Sequence, residues 1–133
     1  MNAYKLFVLD VGLLGAMSEL PAESILEGND IFVEFKGALT EQYVLQQLIS
    51  DTPYTPYYYG NEKATFEQDF LIQKAKSIVP IEVKAEQNIR SHSLKTYCEK
   101  FQPEEAVRFS TLKYKEQEWM VNIPLYAYKL KQL

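Results

Sequence analysis

Residues 65–85, TFEQDFLIQKAKSIVPIEVKA, predict two β-strands joined by a short polar turn. Apolar and polar side chains alternate from Phe66 to Gln73, and the segment Ile78–Ala85 is rich in β-branched residues. Both patterns favour a pleated, half-buried surface over a helix. The turn falls at Lys74–Ser77, so this stretch predicts a β-hairpin around which the rest of the chain is arranged.

The predicted hairpin pairs two carboxylates if its strands are symmetric about that turn. With Gln73 opposite Ile78, Asp69 faces Glu82. Lys84 lies on the same face as Glu82, because side chains repeat with a period of two along a strand. Directly opposed like charges destabilise a sheet unless a positive charge lies between them. A bound divalent cation would remove the repulsion.

The residue types favour a hard cation at this position. Carboxylate oxygens and a backbone carbonyl suit Mg²⁺ or Mn²⁺, whereas zinc prefers histidine and cysteine, of which the chain has one each. The alternative is an ordinary solvated acidic face, and a change of one residue in the turn would place the two acids on opposite faces. The hairpin alone leaves both interpretations open.

Length and composition are those of a soluble globular protein. The chain has 133 residues, 47% hydrophobic and 24% charged, which predicts a single domain over residues 1–133. It has no apolar run of about 18 residues that would indicate a membrane span. A signal-peptide pattern and a GxxxxGK[ST] phosphate loop are also absent from the sequence. One cysteine, Cys98, is typical of a reducing compartment, so we expect a cytoplasmic protein.

Charge is distributed unevenly along the chain. The net charge is −4, but residues 1–62 contain two lysines and nine acids, whereas residues 63–133 contain twelve Lys or Arg and nine acids. Affinity for nucleic-acid phosphates comes mostly from Lys and Arg. The net charge therefore disfavours a pure nucleic-acid binder, and we expect any phosphate-facing surface in the second half.

The first half predicts a strand and two helices. Lys5–Leu9 is apolar enough for a strand, and a helix follows from near Asp10, a residue type suited to helix N-caps. Ala38–Ser50 contains good helix formers throughout, and a helical wheel places Glu41 in the middle of its apolar stripe. A carboxylate there needs a partner or a wet cleft. Glu41 is thus either paired with a lysine, such as Lys36 or one from the sheet, or part of a catalytic site.

The remaining segments predict further strands and one helix. Tyr57–Tyr59 predicts a strand, whose tyrosines serve in packing or, alternatively, in base stacking. Ser91–Phe101 predicts a helix from its apolar residues at helical spacing. Ala106–Ser110 and Glu118–Pro124 predict two more strands.

This order of elements resembles the core of the PD-(D/E)XK nuclease superfamily, which has the restriction-endonuclease-like fold. The superfamily motif matches Glu41 in the first helix, Asp69 in the second strand and Glu82-Val83-Lys84 in the third. Gln68 precedes Asp69 where the superfamily name has proline. The resemblance implies an α/β fold with a central mixed sheet flanked by helices, in the order α-β-β-β-α-β.

A narrower resemblance covers about residues 5–128. The segments FKGALTEQYVLQQL, EQDFLIQ, VPIEVKA and NIPLYAY resemble the uncharacterised C-terminal domain attached to many prokaryotic AAA-type ATPases. This implies that the chain is the C-terminal part of a larger protein, with an ATPase domain on its N-terminal side.

The superfamily resemblance implies a metal-dependent nuclease acting on DNA. Asp69, Glu82 and the Val83 carbonyl would bind Mg²⁺ or Mn²⁺, and Glu41 would complete the site. Lys84 would orient the attacking water or stabilise charge on the phosphate. Five basic residues could hold the DNA backbone: Lys63, Arg90, Lys95, Lys100 and Arg108.

Two other functions remain open from the sequence. The domain could be a non-catalytic module that binds DNA or a protein partner for the attached ATPase, which the acidic first half favours. It could also be a structural cap on that ATPase.

Overall fold

The computed structural model describes residues 5–19, 21, 23, 30–60, 66–85 and 91–127, and for residues 30–34 it describes the course of the backbone. The described residues form a mixed α/β domain with one six-stranded sheet and three helices, which confirms the predicted fold class. The helices are Val11–Met17 (α1), Asp30–Asp51 (α2) and His92–Phe101 (α3). The strands are Tyr57–Tyr59 (β1), Gln68–Lys74 (β2), Ser77–Lys84 (β3), Val107–Ser110 (β4), Lys115–Glu116 (β5) and Val121–Pro124 (β6).

The strand order in the sheet is β1-β2-β3-β4-β6-β5. Strands β1, β2 and β3 pair antiparallel, whereas β3, β4 and β6 pair parallel, and β5 lies antiparallel at the edge. Parallel neighbours need a crossover connection, which α3 supplies between β3 and β4. None of the described helices combines the length and the hydropathy that a membrane span requires.

The β2–β3 hairpin has the predicted register. Gln73 pairs with Ile78, and the ladder ends at the pair of Phe70 and Ile81. The loop consists of two residues, and the first of them, Ala75, has a φ of 53°. This left-handed conformation is costly for a residue with a Cβ atom.

The hydrophobic core lies between α2 and one face of the sheet. Val44 and Leu48 of α2 pack against apolar side chains from four strands: Phe70, Ile72, Val79, Ile81, Val83, Val107, Phe109 and Ile123. Alternate residues of a strand point to opposite faces. The other face therefore presents Glu82, Arg108 and Asn122, which are lateral neighbours on β3, β4 and β6.

Helix α2 is longer than the sequence predicted. It begins at Asp30 rather than Ala38, so Gly37 lies inside it instead of just before it. A glycine lowers helix stability by roughly 1 kcal/mol. That cost does not end a helix whose backbone hydrogen bonds continue on both sides.

The predicted strand Lys5–Leu9 is wrong, because these residues belong to no strand of the sheet. Val8 instead bonds to a side chain of α2. Its N–H donates to Gln42 Oε1 at 3.0 Å, and its carbonyl accepts from Gln42 Nε2 at 2.8 Å. The buried amide of Gln42 takes the place of a strand partner, so the backbone N–H and C=O of Val8 are hydrogen-bonded although this segment does not join the sheet.

Helix α1 begins where the sequence predicted. Asp10 is its N-cap, and Oδ1 accepts a hydrogen bond from the N–H of Leu13 at 3.1 Å. Val11 N–H donates to Gln46 Oε1 at 3.1 Å. Two glutamines one turn apart on α2 thus hold the N-terminal segment in place.

Candidate active site at the open end of the β2–β3 hairpin

The side chain of Asp69 links the two hairpin strands just beyond the last residue pair of their backbone hydrogen-bond ladder. Its Oδ2 accepts a hydrogen bond from the N–H of Val83 at 2.7 Å, next to the last ladder pair of Phe70 and Ile81. The negative charge of Glu82 also acts on Asp69. The two acids that the sequence placed opposite each other therefore lie on adjacent strands at the open end of the hairpin.

Lys5 connects Glu41 of α2 with Asp69. Its Nζ lies 3.0 Å from Glu41 Oε2 and 3.7 Å from Asp69 Oδ1. The same ammonium lies 4.9 Å from the centre of the Tyr58 ring, within range of a cation–π interaction. Glu41 thus has the lysine partner that was one of its two predicted alternatives, but this partner is Lys5 rather than Lys36 or a lysine of the sheet. The available signal was that Lys5 is the one charge in an otherwise apolar segment, residues 4–9.

The carboxyl of Asp69 has a pKa close to neutral. Burial and the charge of Glu41 raise the pKa of Asp69 to about 6, against the opposing effects of the Val83 N–H and of Lys5. Burial acts to lower the pKa of Lys5, but hydrogen bonding and attraction to Glu41 outweigh it, so this pKa is raised. The site thus destabilises the ionised form of Asp69 and stabilises the ammonium form of Lys5.

Glu82 is deeply buried, with a side chain that is 4% exposed. Its Oε1 lies 3.5 Å from Lys84 Nζ, so the two charged residues of the Glu82-Val83-Lys84 segment are in contact. Its Oε2 is buried and has no hydrogen-bond partner among the described residues. A buried acceptor without a partner costs about 1–3 kcal/mol, and more when it is charged, so a bound ligand or ion at this atom would be stabilising.

A polar network lies on the same face of the sheet as Glu82, on the neighbouring strands β4 and β6. Arg108 Nε donates to Asn122 Oδ1 at 2.9 Å, and Arg108 Nη1 donates to Ser91 Oγ at 2.9 Å. Ser110 Oγ donates to the same Asn122 oxygen at 2.7 Å. Arg108 was expected among the surface residues that hold DNA, but it is only 6% exposed. Two of its guanidinium nitrogens donate inside this network.

The other predicted phosphate-binding residues divide into two groups. Lys95 and Lys100 are exposed on α3. Lys95 lies 3.9 Å from Glu99, and Lys100 lies over the ring of Phe101 with its Nζ 5.0 Å from the ring centre. Two further candidates fall outside the described residues: Lys63 and Arg90.

Cys98 does not add a nucleophile to the site. It packs beside a small apolar cluster. Burial, and then the charge of Glu82, raise the pKa of Cys98 to about 11. The thiol is therefore protonated at neutral pH, whereas the thiolate is the reactive form.

The carboxylates of the cluster differ in their partners, and Asp69, whose pKa is raised to about 6, can hold a proton near that pH. Among the residues that the structure describes, no group of three or more His, Cys, Asp or Glu side chains is positioned to hold a metal ion. Glu41 is paired with Lys5. Asp69 Oδ2 accepts from Val83, whereas Glu82 Oε2 is a buried carboxylate oxygen without a hydrogen-bond partner among the described residues.

Fold and site together define a mixed α/β domain with a carboxylate–lysine cluster at one end of its sheet. The chain belongs to the family described as Domain of unknown function (DUF4143), whose model matches residues 36–128. The matched range includes Glu41, Asp69, Glu82 and Lys84, but not Lys5. Neither the curated proteins nor the solved structures contain a match to the chain.

Proposed function

We propose that this domain is a divalent-cation-dependent nuclease of the PD-(D/E)XK type that hydrolyses DNA phosphodiesters. The observation that supports it most is Glu82, whose buried Oε2 lacks a partner while its Oε1 lies beside Lys84. Binding a cation would stabilise a carboxylate that is buried in this state.

The residues present fit Mg²⁺ or Mn²⁺. Asp69, Glu82 and the Val83 carbonyl would supply oxygen donors only, of the kind these ions prefer. Glu41 could join it once released from Lys5. A divalent cation held there would supply the Lewis acidity that phosphodiester hydrolysis needs.

The side chains of the site have separate roles in the proposed reaction. Lys84, half-buried beside Glu82, would hold the attacking water or neutralise charge that develops on the phosphate. Before the divalent cation binds, the ammonium of Lys5 would compensate the negative charges of Glu41 and Asp69. Lys95 and Lys100 would hold the DNA backbone.

A second candidate is a non-catalytic module that binds DNA or a protein partner for an attached AAA-type ATPase. The observation that favours it is that Lys5 already compensates two of the three acids. In that case the ion pair is a structural element that fixes the N-terminal segment on α2, and no metal is needed.

Titration of Mn²⁺ into Lys5→Gln and wild-type protein separates the two functions. If Lys5 and the cation compete for the same carboxylates, Lys5→Gln binds Mn²⁺ more tightly than the wild type does, as measured by calorimetry and by the rise in Tm with Mn²⁺. If Lys5 is structural only, the variant loses stability, and neither protein is stabilised by Mn²⁺ at millimolar concentration.

Cleavage is then tested on single-stranded and branched DNA with Mg²⁺ or Mn²⁺. Glu82→Gln and Lys84→Ala should each lower the rate by about 100-fold or more. Asp51→Asn, which changes an exposed acid at the end of α2, is the control and should cleave normally. Absence of cleavage by the wild-type protein, also in the presence of an attached ATPase, together with absence of Mn²⁺ binding, would refute the nuclease proposal.

A further inference from the structure

A cavity of about 400 Å³ opens beside the start of α3, next to the polar network. Its lining includes three basic side chains, those of His92, Lys95 and Arg108, and the indole of Trp119. None of the described residues that line it is acidic. Cavities of about 300–1,000 Å³ are typical of small-molecule sites, so size and charge together favour an anionic ligand.

Arg108 is the deepest of these groups, since it is 6% exposed. Its Nε and Nη1 donate to Asn122 and Ser91, whereas Nη2 forms no hydrogen bond with any described residue. Glu82 on the adjacent strand lies more than 4.0 Å from the guanidinium, since no ion pair joins the two side chains. A buried guanidinium that retains donor capacity, and that lines a cavity, is a binding group for a phosphate or carboxylate.

The start of α3 adds backbone donors at the same place. Ser91 is the N-cap, but its side chain does not bond to the helix, and its hydroxyl oxygen accepts from Arg108. The first turn of α3 contains no acid. Uncapped N–H groups and the positive end of the helix dipole attract anions, and here they lie on the side of the cavity that Lys95 also lines.

We propose that this cavity binds a phosphorylated nucleotide, with its phosphate at Arg108, Lys95 and the start of α3, and its base against Trp119. Phosphate is the anion that matches several converging donors, and an indole provides the flat surface on which any base stacks. The nucleotide could be free or could be the phosphorylated end of a DNA strand. The proposal goes beyond cleavage and requires no metal.

Trp119 allows a direct test, because it is the only tryptophan of the chain. The purified protein is titrated in EDTA with a nucleoside monophosphate, the matching nucleoside, and oligonucleotides with and without a 5′-phosphate. Trp119 fluorescence and calorimetry are recorded in parallel. We expect saturable quenching by the monophosphate and by the phosphorylated oligonucleotide, and binding at least about tenfold weaker for the unphosphorylated forms. A tighter complex with the oligonucleotide than with the mononucleotide would assign the site to strand ends, and the converse would assign it to free nucleotides.

Two substitutions of exposed lysines test the site without removing a buried side chain that the fold needs. Lys95→Ala should weaken binding of the monophosphate by about tenfold, the loss expected for one charge-assisted hydrogen bond. Lys76→Ala, which removes an exposed lysine from the β2–β3 loop, should leave binding unchanged. The proposal is overturned if neither fluorescence nor calorimetry detects the monophosphate at millimolar concentration. Equal binding of nucleoside and nucleotide, or equal effects of the two lysine variants, would also overturn it. Because EDTA is present, these results do not depend on whether the carboxylate site binds a metal or cleaves DNA.

Discussion

Replacing Asp69 by Asn should remove a specific pH dependence of stability in the absence of divalent cations. Burial and the charge of Glu41 raise the pKa of this carboxyl from 3.8 to about 6 in the folded protein. A folded state that holds a proton more tightly than the unfolded chain loses stability as the pH rises. The stabilising contribution is therefore complete below pH 3.8 and is lost once the pH exceeds about 6.

The size of this effect follows from the two pKa values. The difference between 3.8 and about 6 corresponds to about 3 kcal/mol over the whole titration, since a pKa difference of one is worth about 1.4 kcal/mol. Raising the pH from 4 to 7.5 should therefore lower the free energy of unfolding of the wild-type protein by about 2 kcal/mol through this group. Asn cannot ionise, and its side-chain oxygen can still accept from the Val83 N–H, so Asp69→Asn lacks this loss.

Urea denaturation in EDTA at pH 4 and pH 7.5 measures the difference. The free energy of unfolding of Asp69→Asn minus that of wild type should be about 2 kcal/mol larger at pH 7.5 than at pH 4, because only the wild type loses stability over this range. Asp51→Asn, which changes an exposed acid at the end of α2, is the control. A relative stability of Asp69→Asn that is the same at both pH values, or that changes in the opposite direction, would refute the argument.

Two further substitutions test the hairpin loop and the docking of the N-terminal segment. Ala75→Gly should stabilise the protein by about 0.5 kcal/mol, because glycine adopts the left-handed conformation at this position without the Cβ penalty. Lys76→Gly lacks that benefit and should be destabilising in the same urea titration. Gln42→Ala should cost about 2 kcal/mol through its two lost hydrogen bonds to Val8. It should also speed hydrogen exchange at the Val8 amide, and unchanged exchange there would contradict the proposed anchoring.

The hairpin was predictable because its information is local. Alternation of side chains, a two-residue loop and β-branched residues specify which strand positions face each other, and Gln73 pairs with Ile78 as the pattern indicated. Ser91–Phe101 was equally clear from its helical spacing, and Ser91 is the N-cap of α3. Strand β5, with two residues, is too short to produce any such pattern.

The start of α2 and the state of residues 5–9 were not predictable in this way. Gly37 weakens a helix without ending it, so propensity alone misplaced the boundary by eight residues. An apolar segment such as residues 5–9 has the same pattern whether its backbone bonds to a strand or to the side chain of Gln42. Local pattern therefore does not determine which partner satisfies its backbone.

By itself, the sequence determined the α/β class, the hairpin register and the order in which Glu41, Asp69, Glu82 and Lys84 occur. These follow from periodicities of two and 3.6 residues, which depend on near neighbours in the chain. Only the tertiary structure decided that Lys5 compensates Glu41 and Asp69, and that Arg108 is buried beside a cavity rather than exposed. Lys5 is separated from Glu41 and Asp69 by 36 and 64 positions in the sequence. The interaction energies of such charges depend on burial and distance, and both are set only when the sheet and its helices pack together.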